Sequence, residues 1–119
     1  MTARVVLLGH RIGYSASPAM HNAAFAATAL DAAYGLHDVP ASDLERAVNE
    51  LRRDDMLGAN VTQPHKVEAM RLVDELTPEV ERIGALNTIV RDDGRLVGHN
   101  TDLPALAAEL RVLCSGAPN

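Results

Sequence analysis

Ala3-Arg4-Val5-Val6-Leu7-Leu8, closed by Gly9, is a short apolar, β-branched run of the kind that forms a buried strand. The order of elements after this strand decides the fold. Ser17-Pro18 opens a helix over 18–30, with serine at the N-cap and proline at N1, where its missing N–H costs nothing. That helix is apolar almost all round (Met20, Ala23, Ala24, Phe25, Ala27, Leu30), which places it between layers. Residues 33–39 read as a second strand. Ser42-Asp43-Leu44-Glu45 then forms a capping box ahead of a helix with Leu44, Val48 and Leu51 on one stripe and Arg46 and Glu50 opposite. A third strand over 57–62 is followed by two short helices. Pro64 starts the first, carrying Met70 and Val73; Thr77-Pro78 starts the second, with Val80 and Ile83 as its apolar side. Strands over 86–91 and 95–100 are joined by Asp92-Asp93-Gly94, a hairpin turn. A last helix spans 104–113, with Leu106, Leu110 and Leu113 inward, and 114–119 read as a frayed end. Alternating strand and helix, finished by a hairpin, predicts an α/β three-layer αβα sandwich. Its sheet is mostly parallel with one antiparallel strand.

Composition bounds the function. With 119 residues there is room for one domain. Apolar residues make up 47% but aromatics only 3%, so the core is aliphatic, as suits helices packed on a sheet. Eleven basic against 16 acidic side chains, a net charge of −5, argue against nucleic-acid and anionic-membrane partners. The single cysteine, Cys114, cannot form an internal disulfide and points to a reducing, cytoplasmic setting. The apolar start is too short for a signal peptide, and nowhere do about 18 apolar residues run together.

Four polar clusters lie where strands end or helices begin: 14–18, 60–66, 84–88 and 98–102. In open α/β sheets ligands bind beyond the carboxyl ends of the strands. Three of the clusters pair Asn with Thr one or two places on, a set of neutral amides and hydroxyls that suits a polyhydroxylated small molecule. Ser15 and Ser17 read either as a carboxylate site at a helix start or as a loop residue and a simple cap. Lys66 and Asp102 read either as an acid–base pair or as a surface ion pair. A lysine moves a proton near neutrality only if its ordinary value of about 10.4 is lowered or a substrate holds it in line. A carboxylate neighbour opposes the first, so Asp102 suits orienting Lys66. The five histidines (His10, His21, His37, His65, His99) show no zinc spacing, and no metal is expected; His21, inside an apolar helix, reads as a core residue. Gly9-His10-Arg11-Ile12-Gly13 matches neither G-x-G-x-x-G nor a Walker loop.

In order along the chain, the clusters resemble the substrate-binding domain of shikimate dehydrogenases. Ser15-Ala16-Ser17-Pro18 resembles the family's S-x-S-P, and the run from Gly58 through Asn60-Val61-Thr62 to Pro64 and Lys66 its G-x-N-V-T-x-P-x-K. Gly84-Ala85-Leu86-Asn87-Thr88 resembles G-A-x-N-T, and Gly98-His99-Asn100-Thr101-Asp102 resembles G-x-N-T-D. The resemblance implies NADP-dependent oxidation of the shikimate 3-hydroxyl, a step of aromatic amino-acid (chorismate) biosynthesis. It implies Lys66 and Asp102 as the catalytic pair, Ser15 and Ser17 on the carboxylate, and Asn60, Thr62, Asn87 and Thr101 on ring hydroxyls. It further implies a domain over 1–102, a helix over 103–113 that leads in relatives to the cofactor domain, and a tail over 114–119. The NADP site would lie in that further domain, so no cofactor-binding residue and no turnover are expected of these residues alone. Leu103, Pro104, Ala105 and Leu106 depart from the family, which has a small residue, then Gly and an aromatic. They leave open a non-catalytic shikimate- or quinate-binding module or a degenerate remnant. An apolar patch around Leu106–Leu113, uncovered without the second domain, would favour self-association.

Overall fold

The structure, a computed structural model, describes residues 3–11, 18–19, 22–23, 26 and 32–101. Six strands form one mixed sheet: β1 (Ala3–Gly9), β2 (Ala32–Asp38), β3 (Met56–Val61), β4 (Glu75–Leu76), β5 (Thr88–Asp92) and β6 (Arg95–His99). Their order across the sheet is β2-β1-β3-β5-β6-β4. β1 pairs in parallel with β2 and β3, and β4 in parallel with β6, while β5 runs antiparallel to both its neighbours. The sheet is thus α/β in character and parallel apart from one reversed strand. Among the described residues two helices have complete bounds, α1 (Leu44–Glu50) and α2 (Pro78–Ile83).

The larger core lies on the sheet face that α1 covers. Val6 and Leu8 of β1, Ala59 and Val61 of β3, Ile89 of β5 and Leu96 of β6 meet Leu44, Ala47 and Val48 of α1 there, with Leu51 just beyond it. Leu8, Val48, Leu86 and Leu96 are fully buried, and each such side chain stabilises the fold by about 1.5–3 kcal/mol. A smaller cluster of Leu7 and Tyr34, with Val5 against it, occupies the other face. The alternation of β1, even positions to one face and odd to the other, supplies both.

Several local expectations are corrected. Ser42 does not open α1: a 3-10 turn over Ala41–Asp43 precedes it, and Asp43, the N-cap, makes no side-chain capping bond. Pro40 starts the turn early, its carbonyl accepting from Asp43 N–H at 3.0 Å, so Ser42 is already inside it. Pro64 does not start an α-helix. Thr62 C=O accepts from His65 N–H at 3.0 Å in a tight turn, and only a 3-10 helix over Glu68–Arg71 follows. Pro78 does begin α2, but Thr77 makes no side-chain cap; Val80 is buried while Ile83 is 43% exposed, because a two-turn helix ending at Gly84 buries one residue deeply. Gly84 closes that helix in the left-handed conformation, at φ 82°. The sequence carries no signal for β4. Of the helix expected over 18–30, Pro18, Ala19, Asn22, Ala23 and Ala26 are helical, but Ala19, Ala23 and Ala26 are exposed. Alanine favours the helix by propensity whether or not it is covered, so an alanine-rich pattern overstates burial. The hairpin turns through Asp93 (φ 52°) and Gly94 (φ 81°), the two positive angles of the preferred tight turn. The expected helix over 104–113, the 114–119 tail and His21 lie outside the described residues.

Candidate functional site

Because β1, β2, β3 and β6 run the same way, their carboxyl ends share one edge of the sheet, and reversed β5 brings its first residue, Thr88, to the same edge. Asn60 is near the end of β3 and Thr62 just past it; Asn87 precedes β5, and Thr101 follows β6. Backbone bonds bind these ends together. Thr62 N–H donates to Leu8 C=O at 2.9 Å, Val61 N–H to Asn87 C=O at 2.8 Å, and Asn87 N–H to His99 C=O at 3.0 Å. Half-buried Lys66 sits in the turn after β3, its carbonyl accepting from Leu86 N–H at 3.0 Å. Five of the residues singled out from sequence, Asn60, Thr62, Lys66, Asn87 and Thr101, therefore lie along one edge. Ser15, Ser17 and Asp102 lie outside the described residues.

The side chains on this edge form one hydrogen-bonded chain across four strands. Tyr34 OH donates to Asn60 Oδ1 at 3.0 Å, and Asn60 Nδ2 donates to Thr88 Oγ1 at 3.4 Å. Thr88 Oγ1 donates to Asn87 Oδ1 at 3.0 Å, and Asn87 Nδ2 to Thr101 Oγ1 at 3.1 Å. Thr101 N–H returns to Asn87 Oδ1 at 3.2 Å. From Tyr34 to Thr101 the side-chain donors run in one direction, and the returning Thr101 N–H bonds the Asn87 oxygen, so the two amides are held in fixed orientations. Asn60 and Thr88 sit directly opposite in the β3–β5 ladder, which is why short side chains can meet. The bonds are neutral and mostly half-buried, so the edge offers amide and hydroxyl groups in set directions.

Other residues of the same motifs hold the backbone. A Cβ at Gly58 would run into the Ile89 carbonyl oxygen, and one at Gly98 would lie 2.9 Å from a Leu86 methyl and 3.0 Å from a Leu76 methyl. Asn100, 5% exposed, donates from Nδ2 to Ala85 C=O at 3.0 Å and so ties the end of β6 to the segment before Asn87. His65 is 1% exposed, with Nε2 2.8 Å from Val39 C=O, which anchors the Lys66 turn to the end of β2. Asp38 takes Arg11 N–H at 2.9 Å and lies 3.2 Å from His10 Nδ1, fastening the chain just beyond β1. Among the described residues no three His, Cys, Asp or Glu side chains group as a metal site. No helix of the described residues is long and apolar enough to cross a membrane.

Two participants escape a reading of the sequence, Tyr34 and Thr88. Thr88 stands inside a recognised motif but is overshadowed by its neighbour Asn87. Tyr34 reads simply as a strand residue; one of only two tyrosines in an aromatic-poor chain, it carries a signal in its rarity. Burial pushes its phenol above the ordinary value, so the hydroxyl stays protonated and able to donate.

A mixed sheet with directed amides and hydroxyls along its carboxyl edge is an α/β domain with the layout in which such sheets receive small molecules. The chain belongs to the shikimate dehydrogenase substrate binding domain family, whose model matches residues 7–89. A shikimate dehydrogenase (NADP(+)) of Symbiobacterium thermophilum is 53% identical over 96 residues, covering 81% of this chain and 33% of that protein. One from Salinibacter ruber is 49% identical over 102 residues, covering 86% of this chain and 36% of that protein. Among solved structures, Thermus thermophilus shikimate 5-dehydrogenase in complex with NADP(H) and shikimate superposes with a TM-score of 0.84. It is 38% identical, covering 98% of this chain and 44% of that one. Ligand-free 5-ketofructose reductase of a Gluconobacter species reaches a TM-score of 0.86 at 30% identity, covering 94% of this chain and 40% of that one. The chain spans about a third of the length of these curated relatives.

Proposed function

We propose that this chain is the substrate-binding and acid–base half of an NADP-dependent shikimate dehydrogenase that works in the cytoplasm. The observation that carries the reading is the directed polar edge, on which Asn60, Asn87 and Thr101 share one network beside Lys66. In this reading Asn60, Thr62, Asn87 and Thr101 bind the ring hydroxyls, and Ser15 and Ser17 the carboxylate. Lys66 exchanges the proton at the 3-oxygen, and Asp102 positions it.

In this reading the NADP site lies outside the described strand crossings. After β1, the Arg11 N–H that could face a pyrophosphate is taken by the Asp38 carboxylate, which also repels phosphate. After β2 stands Pro40, which has no N–H, and after β3 Gln63-Pro64.

The test is calorimetric titration of the pure chain with shikimate. Measurable binding, weakened about tenfold or more by Asn87→Ala through loss of several hydrogen bonds, is expected. Absence of heat, or equal affinity in the variant, overturns the assignment. NADPH-dependent reduction of 3-dehydroshikimate by these residues alone would overturn the division of labour. The likeness to a ketofructose reductase supplies the competing reading, a polyol site, favoured if 5-ketofructose binds and shikimate does not.

A further inference from the structure

We infer that Tyr34, on the edge strand β2, is a positioning residue that sets the orientation of the Asn60 amide and thereby the group Asn60 presents to a ligand. The inference rests on the reading of this edge as a shikimate site and adds a residue from a strand that none of the motifs includes. Tyr34 pairs with Val5, while Asn60 pairs two residues further on with Leu7. The phenol therefore reaches across β1, packed on Leu7, to touch the second strand over, a span of about 10 Å. Tyr34 itself is 4% exposed, and its backbone is clasped by one side chain. Asn22 Nδ2 donates to Tyr34 C=O at 2.9 Å, and Tyr34 N–H donates to Asn22 Oδ1 at 2.8 Å. Those bonds stand where a further strand would have paired.

An asparagine amide can sit two ways round with nearly the same shape, and its hydrogen bonds choose between them. At Asn60 the choice rests on unequal partners. The contact to Thr88 is 3.4 Å long, whereas the phenol bond is 3.0 Å and comes from a buried donor. With the phenol donating at one end and the Thr88 hydroxyl hydrogen spent on Asn87 at the other, the oxygen of Asn60 faces β2 and its Nδ2 faces β5. The network makes no use of the second Nδ2 hydrogen, so Asn60 in this orientation meets a ligand as a donor, and its natural counterpart is an oxygen lone pair. Reversed, it would offer an oxygen and select for hydroxyl hydrogens instead.

The experiment is Tyr34→Phe in the full 119-residue chain, read by the side-chain amide resonances of Asn60 and by shikimate affinity. The Asn60 amide pair is expected to shift and broaden and shikimate affinity to fall about 3- to 10-fold, the range for one lost hydrogen bond. Unmoved Asn60 resonances overturn the inference, as does a moved pair with unchanged affinity. If the parent chain binds no shikimate, the proposed function fails, while the amide resonances, which need no ligand, still decide whether Tyr34 orients Asn60. Should Tyr34→Phe not fold, 3-fluorotyrosine in a Tyr14→Phe background gives a single fluorine probe at position 34. Asn60→Ala must then move that signal; an unmoved signal overturns the inference.

Discussion

Adding one methyl group at Gly58 should remove much of this molecule's margin of stability. Gly58 lies in β3, between β1 on one side and β5 on the other, opposite Val5 and Val90. Its Cβ would collide with the Ile89 carbonyl oxygen and lie 3.2 Å from both the Ile89 carbonyl carbon and Val90 Cα. These are backbone atoms, so no rotamer change relieves the overlap, and β3 cannot slide away without leaving β1. Forced overpacking costs roughly 1–3 kcal/mol. Each ladder bond stretched open adds about 1 kcal/mol. The ordinary gain from removing a glycine from the unfolded chain returns only about 0.4–1 kcal/mol. With one ladder bond opened, Gly58→Ala is therefore expected to lose roughly 1–4 kcal/mol, the sum of those terms, from a typical total of about 5–15. Gly35→Ala is the matched control: a Cβ there meets nothing within 4 Å, so it should be neutral or slightly stabilising. Urea unfolding followed by circular dichroism measures both. A Gly58→Ala protein within about 0.5 kcal/mol of the parent, an ordinary surface-substitution effect, would refute the reasoning.

Asp74 receives both Arg52 nitrogens, at 2.6 and 3.2 Å, and Leu96 N–H at 2.7 Å. The Arg52 bonds first, then the Leu96 amide, hold its carboxyl below the usual range. A lowered folded-state value stabilises above the unfolded-state value and is lost as pH falls through the folded one. The stability gap between parent and Asp74→Asn should be full near neutrality and close in acid; a gap independent of pH would count against it. His65→Ala should cost roughly 2–4 kcal/mol, from a cavity plus the orphaned Val39 carbonyl, measured by the same urea curves. A loss below about 1 kcal/mol would mean the anchor is dispensable. Lys66→Ala should leave shikimate affinity nearly unchanged while abolishing turnover in a two-domain protein carrying this chain; retained turnover would remove its proton-transfer role.

The strands are legible wherever aliphatic residues cluster, as in Val5-Val6-Leu7-Leu8 and Leu96-Val97, because burial on a sheet demands them. β4 is not, since Glu75-Leu76 is too short to carry a period and pairs only because β6 is already in place. Pro64 and Ser42 mislead in the same way: each matches a helix-start signal, but local signals yield to the turn that neighbouring strands impose. At the edge, the resemblance points to Asn60, Asn87 and Thr101, yet the connection to Tyr34 is a property of register across β1 and has no trace in local sequence. The motifs alone give no reason for their glycines, whereas the fold does: Gly58 and Gly98 are glycine because another part of the fold lies against them.

Reversal of β5 also separates two ends of the molecule that could otherwise interfere. Since Thr88 begins the strand at the polar edge, the Asp93-Gly94 turn stands at the opposite pole, five strand residues or roughly 17 Å away. Both turn residues are exposed. A fluorophore, an affinity tag or an inserted reporter domain placed in that turn would ride on the molecule as a handle, leaving the Asn60–Thr101 edge to report on ligand alone.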